Sequence, residues 1–373
     1  MDILQKTVHI GKRVLHAIAN YMKNTYIAFW LVMLLASAYS CVLVYSATHT
    51  SGGGLPRTVI VQILACLVGY FAAIIISLMD YERLGELWWL VAGGCIFLVG
   101  LTYFVGVGAS GEYSLADDTA WLNIFGVSFQ PSELMKIGFI ITFSYHLSVT
   151  IRNKHLNSLP HLLLLVAHVG LPAGMIFIQG DDGSALMFMT MAVFMIIGSG
   201  ISWKYLLAGG TAVLAMLPIV WMNMNTFQKD RIRAVYNPMP GDELGSLYQQ
   251  YLGRLAVGSG GLTGQGWCNG RMIQSGLVPA DHNDRIFTVA AEEFGFIGAS
   301  LVLLILVVIM FMSLKTALNA RDDMGRFVCL GFFGLIATQT VFNVGMCLYF
   351  GVGLVLSVYM RRNESNMQFA LMR

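Results

Sequence analysis

"VPADHNDRIFTVAAEEFGFIG", residues 278–298, begins in a polar stretch and ends in an apolar one, with Asp281, Asp284, Arg285, Glu292 and Glu293 gathered at the boundary. The run that follows, 296–314, carries no charge. It approaches the roughly 20 apolar residues that a helix needs to cross a bilayer. The same ruler applied outward finds candidate spans near 26–47, 58–78, 87–107, 133–150, 161–178, 184–201 and 205–223, eight in all. The fold class is all-α, a polytopic membrane helical bundle. The polar stretch 224–295 is read as a large external loop between helices 7 and 8.

Composition agrees. Of 373 residues, 57% are hydrophobic and 11% charged, against about 25% charged in soluble domains. A net charge of +2 with no basic run or aromatic-interleaved stripe excludes a nucleic-acid partner. The six cysteines have no CxxC pairing and read as small buried residues rather than a metal or disulfide framework. The eight histidines lack metal-ligand spacing and read as packed or interfacial residues.

Charge also sets an expected orientation. Lys6, Lys12, Arg13 and Lys23 precede the first apolar run, which begins at Tyr26 with no small-residue cleavage site behind it, and this reads as an uncleaved anchor. Arg83, Arg152, Lys154, Lys204, Lys315, Arg321 and Arg326 follow even-numbered passes, which places them and the N-terminus in the cytoplasm. The segment 108–131, with Glu112, Asp117 and Asp118 and no Lys or Arg, then lies outside.

No repeat, Pro-rich linker or low-complexity tract divides the chain, so 26–362 is one membrane domain between cytoplasmic segments 1–25 and 363–373. Its end is irregular. From Phe327 to Met360 no residue is charged. As one helix this run is about 51 Å long, too much for a roughly 30 Å core, and as two helices with a turn it is short.

Four stretches carry the chemistry. In "FQPSELMKIGF" (129–139), Pro131 suits a first helical turn and Glu133 and Lys136 share a face just inside a span, either as a structural ion pair or facing a cavity. "QGDDGSA" (179–185) puts Asp181 in a turn, where solvation is the simpler reading. "SLYQQYLGRLAV" (246–257) places Leu247, Tyr248, Tyr251, Leu252, Leu255 and Ala256 on one helical face, at the membrane surface or packed on the bundle. "GSGGLTGQG" (258–266) follows no strand and fits neither phosphate-binding pattern, so its amides are expected to line a polar cavity. Asp284 beside Arg285 spells either a base with an anion clamp or a surface ion pair. Glu292 and Glu293 either complement a helix N-terminus or line the cavity.

"QPSELMK", "QGDDGSA", "AVGSGGLTGQG" and "VPADHNDRIFTVAAEEFGFIG", in this order, resemble the signatures of the SEDS proteins of shape, elongation, division and sporulation, the group of RodA, FtsW and SpoVE. "FNVGM" (342–346) and "GVGLVLSVYMRR" (351–362) extend the resemblance. It implies ten transmembrane helices in the bacterial cytoplasmic membrane and an enzyme that polymerises lipid II into peptidoglycan strands. It also implies a class B penicillin-binding protein as partner. The acceptor's 4-hydroxyl attacks the donor's anomeric carbon with inversion, and undecaprenyl pyrophosphate leaves.

By the same resemblance Asp284 is the general base, working best if partial burial raises its pKa above the ordinary 3.9 or so. Glu133, Lys136 and Arg231 belong to the cavity, with Lys136 and Arg231 on phosphate. Arg285, Asp181 and Trp121 join the substrate contacts, and Glu292 and Glu293 match positions of less defined role. A divalent cation, Mg or Mn, bridges the pyrophosphate in this reading, and no organic cofactor is expected. The chain departs from the family with Asn283 and Arg285 around Asp284, Ala120 before Trp121, and Gly180 where a proline is usual. It also passes from "FNVGMCL" straight to "YFGVGL", which together with the short charge-free run indicates an internal deletion after Cys347. Two other functions stay open: a lipid-precursor flippase, which would more often show repeat-related broken helices, and a silent scaffold for the penicillin-binding protein.

Overall fold

The computed structural model describes residues 26–49, 54–107, 120–124, 127–223, 226, 229, 248–278 and 285–348. In chain order the elements are α1 (Ile27–Thr48), α2 (Arg57–Leu78), α3 (Tyr81–Glu86), α4 (Trp88–Val105), β1 (Leu122–Ile124), β2 (Val127–Phe129), α5 (Pro131–Arg152), α6 (Leu159–Ile178), α7 (Asp182–Gly198), α8 (Trp203–Asn223), α9 (Tyr248–Ser259), α10 (Arg271–Gln274), α11 (Ile286–Leu318) and α12 (Asp323–Leu348). Among the described residues seven helices are long and apolar enough to cross a membrane. The shorter α7 and the 21-residue α8 take the places of the sixth and seventh expected spans.

The bundle is built around α5. More than half of its apolar span is buried, whereas α2 is almost wholly outward-facing. Pro131 starts α5 without wasting a backbone donor, Glu133 lies at its positive end and Arg152 at its negative end. On it Phe139 stacks on Phe143 and meets Phe188 of α7 edge-on. Met191, Met195 and Ile176 complete this core with Phe327 of α12. His146 and His168 meet at 3.0 Å between α5 and α6, so both are packed residues.

The long polar loop needs correction at its end. Helix begins at Ile286, ten positions before the expected start at 296, and runs to Leu318 through a break at Gly295 (φ 67°, ψ −160°). The span proper therefore starts where the sequence places it, but a helical half, 286–294, continues beyond the break. At about 1.5 Å per residue the whole of α11 is near 50 Å, more than one crossing needs.

α9 buries Leu252 and Ala256 and packs on α11 and α12, leaving Leu255 outward. It is a bundle-packed helix. The single helix α12 takes the charge-free run as far as Leu348. The deletion after Cys347, a tenth helix, the segments 1–25 and 363–373, and most of 224–247 lie outside the described residues.

Candidate functional site

Two polar clusters sit in this bundle. The first joins the N-terminal ends of α5 and α7. Lys136 is 1% exposed, and its Nζ donates to Glu133 Oε1 at 2.6 Å, with Met187 Sδ of α7 at 3.5 Å. Glu133 itself is 52% exposed on its side chain. A buried ammonium with one half-exposed carboxylate retains donor capacity toward an anion, since Lys carries three N–H groups. Asp181 is the N-cap of α7: one oxygen accepts from Ser184 N at 2.9 Å, the other from Gln130 Nε2 at 3.0 Å. Asp181 is thus a capping residue tied to the start of α5, not a solvated turn. Gly180 has φ 90°, a conformation closed to proline, whose ring holds φ near −65°.

Trp121 stands just outside this cluster. Its backbone bridges to Val107, and the neighbouring pair Leu122–Phe129 closes the β1–β2 hairpin that delivers Gln130 to α5. The structure therefore brings Glu133, Lys136, Asp181 and Trp121 to one end of the bundle. Asp284 and Arg231 lie outside the described residues.

The second cluster surrounds the break in α11. Glu292 and Glu293 are 0% and 1% exposed. Glu292 accepts from Met272 N (2.8 Å) and Ile273 N (3.1 Å), the start of α10. Glu293 accepts from Ser46 Oγ of α1, Cys268 N (3.2 Å) and Gln274 Nε2 (3.1 Å). These charge-assisted bonds let two adjacent carboxylates be buried together. They are anchors that fasten the loop 259–274 and α1 to α11.

The glycine-rich motif fills the break itself. Gln265 N and Gly266 N donate to the carbonyls of Glu292 and Glu293, each at 3.0 Å, while Phe296 N and Ile297 N donate to Gly261 and Leu262. Backbone groups freed at Gly295 are thereby paired, as burial requires. Only glycine allows this approach: a Cβ at Gly260 would stand 1.9 Å from Ala291 O, and one at Gly264 2.1 Å from Glu293 O. The motif is a plug in a broken helix, and two of its amides, those of Gln265 and Gly266, serve α11. A cavity of about 570 Å³ does open beside it, lined by Ser259, Gln265, Asn269, Arg271 and Met272. Neither Gln130 nor this lining stands out in the sequence; the spacing of the glycines is the one signal that marks the region.

Arg285 is the N-cap of α11 and only 6% exposed. Its Nη1 lies 2.9 Å from where a Cβ at Gly253 would be, so the guanidinium is seated against the α9 backbone. Arg285 thus packs against α9 at the start of α11. No group of three His, Cys, Asp or Glu side chains among the described residues is placed to hold a metal ion.

The FtsW/RodA/SpoVE family, described as cell cycle protein, matches residues 26–353. The peptidoglycan glycosyltransferase MrdB of Escherichia coli K12 is 28% identical over 317 residues, covering 85% of this chain and 82% of that protein. The probable peptidoglycan glycosyltransferase FtsW of Geobacter sulfurreducens is 28% identical over 329 residues, 84% of each chain. The fold is shared with the crystal structure of the rod shape determining protein RodA from Thermus thermophilus, at TM-score 0.61 and 21% identity over 87% of this chain and 86% of that one. A chain from a peptidoglycan synthase complex, solved for its coordination of polymerization and crosslinking, matches at TM-score 0.66 and 24% identity over 86% of this chain and 87% of that one.

Proposed function

The chain belongs to the FtsW/RodA/SpoVE family of cell-cycle proteins, and on that premise we propose that it is a peptidoglycan glycosyltransferase that polymerises lipid II. The observation that carries this reading is Lys136, a buried ammonium held at the polar end of α5 beside Glu133 and the Gln130–Asp181 contact. A lipid-pyrophosphate leaving group needs cationic stabilisation at membrane depth, where each charge counts for more than in water. Lys136 supplies it, with Arg231 as the second cation. Asp284, the residue before the α11 N-cap, takes the proton from the acceptor's 4-hydroxyl as that oxygen bonds to the anomeric carbon and undecaprenyl pyrophosphate departs. The 570 Å³ cavity beside the plug suits a sugar-sized polar group. Among the described residues no three His, Cys, Asp or Glu side chains converge to hold a Mg or Mn ion. The site faces outward in the bacterial cytoplasmic membrane, and a class B penicillin-binding protein cross-links the product.

The break in α11 bears on the alternatives. Carriers use discontinuous helices whose freed backbone groups coordinate substrate. Here the plug pairs those groups, which supports an enzyme over a flippase. The test is lipid II polymerisation by the purified chain with its penicillin-binding protein, comparing wild type, Asp284→Ala, and a form with the segment after Cys347 restored from a relative. Strands made by wild type and lost in Asp284→Ala support the proposal. Strands made equally by Asp284→Ala overturn the assignment of Asp284 as the base, and strands made by neither form even after restoration overturn the polymerase reading in favour of the scaffold.

A further inference from the structure

α2 is attached to the bundle by a single stripe. Along Arg57–Leu78 only Val59, Val61, Gln62, Cys66 and Tyr70 are withdrawn from the surface, and all other residues face outward. Gln62, Cys66 and Tyr70 are spaced four apart, so they form one row on one helical face. That row meets α1 in a fixed antiparallel register. The Tyr70 and Ser37 hydroxyls pair at 2.7 Å, and Gln62 Nε2 donates to Ser40 Oγ at 3.2 Å. Cys41 lies four residues after Ser37, and Cys66 four before Tyr70, so the Ser37–Tyr70 register sets the two thiols opposite each other one helical turn along the seam. Both are free and partly buried, and their side chains are close enough to influence each other. Nothing in their sequence spacing, 25 positions apart, marks them as a pair.

We propose that Cys41 and Cys66 form a redox-active dithiol that closes into a disulfide across the α1–α2 seam, with a membrane-dissolved quinone as oxidant. Depth selects the oxidant. Cys41 is seven residues from the end of α1 and Cys66 nine from the start of α2, which places both roughly 10–14 Å inside the helix ends at about 1.5 Å per residue. Both thiols are only half-buried, on a hairpin whose second helix faces lipid. A water-borne disulfide does not reach such thiols, whereas a lipid-soluble two-electron acceptor does. The balance is simple: two S–H bonds break, one S–S bond forms, and the quinone takes up two protons and two electrons to become its hydroquinone. Closure turns the polar seam into a covalent one and holds α2 on α1, the helix that Ser46 ties to Glu293.

The test uses the full chain, reduced and reconstituted in phospholipid bilayers, exposed either to a short-chain ubiquinone analogue or to copper–phenanthroline, then alkylated and mapped by mass spectrometry without reduction. The expected result is loss of two of the six alkylatable thiols with either oxidant. A disulfide-linked peptide pair should carry Cys41 and Cys66, and Cys41→Ser or Cys66→Ser should abolish it. Closure by copper–phenanthroline but not by the quinone overturns the redox assignment and leaves a structural thiol contact. No Cys41–Cys66 link with either oxidant, or a link through another cysteine, overturns the geometry as well. The wild-type map decides this without relying on the folding of a variant.

Discussion

Replacing Gly264 by alanine is the sharpest probe of the plugged break. Gly264 has φ +84°, and an added Cβ would lie 2.1 Å from Glu293 O and 2.3 Å from its carbonyl carbon. The left-handed conformation alone costs an L-residue about 1–2 kcal/mol. To restore an ordinary contact the loop must retreat by more than about 1 Å, which stretches the Gln265 N–Glu292 O and Gly266 N–Glu293 O bonds, both 3.0 Å. Each such bond contributes about 0.5–1.5 kcal/mol net. The sum is about 2–5 kcal/mol, a large part of the 5–15 kcal/mol that typically separates folded from unfolded chains. The control comes from the same motif. Gly258 belongs to α9, and a Cβ there meets nothing within 4 Å, so Gly258→Ala should be neutral or gain up to about 1 kcal/mol of helix propensity. The assay is thermal unfolding in detergent at one scan rate, followed by tryptophan fluorescence. Gly264→Ala should melt on the order of 5–10 °C below wild type. Because the plug opens before the bundle does, Cys268, whose amide Glu293 holds, should also react faster with a maleimide. An unchanged melting point and labelling rate, or an equal fall in Gly258→Ala, would refute the plug.

Lys136→Met should cut lipid II polymerisation by about 100-fold or more, the usual effect of losing one transition-state donor. Its melting point should hold or rise, because a buried ion pair is often no better than an apolar replacement of similar volume; a collapse of the fold instead would mark Lys136 as structural. At the opposite end of the bundle, Tyr81 donates to Asp322, and that bond, with burial second, pushes its pKa up to about 12. A folded value above the ordinary 10 or so means stability fully present below pH about 10 and lost as pH rises toward 12. Wild type should therefore lose melting temperature in that window relative to Tyr81→Phe, and parallel pH curves would remove the latch between α3 and α12.

The spans were legible because membrane burial writes itself into uninterrupted apolar length, and each of the eight expected ones has its helix. The Glu133–Lys136 pair was legible because three-residue spacing alone puts both on one face. Asp181 was not: its partner Gln130 is 51 positions away, and a capping aspartate has the same spelling as a solvated turn. The start of α11 was missed because Glu292 and Glu293 read as polar, and only their remote donors in 268–274 explain their burial. The plug fails to show itself for the same reason: a glycine demanded by a distant carbonyl looks like a glycine demanded by a turn. Arg285 beside an aspartate suggested an anion clamp, and only the close approach of Gly253 places it between helices.

These anchors also give the break a place in the chemistry. Asp284 precedes the α11 N-cap, and the helical half from Ile286 to Phe294 is fixed at its far end by Glu292 and Glu293 and at its near end by Arg285 against α9. A continuous span would carry the sway of the membrane helix straight to the base. A break at Gly295, plugged by loop backbone, lets the half-helix take its position from α1, α9 and α10 instead. Catalytic groups displaced by about 1 Å can lose 100-fold in rate, so on the proposed function the plug and its carboxylate anchors matter by fixing the half-helix that follows Asp284 in the chain. In Gly264→Ala, polymerisation should accordingly fall at temperatures where the protein is still folded, with kcat affected more than KM.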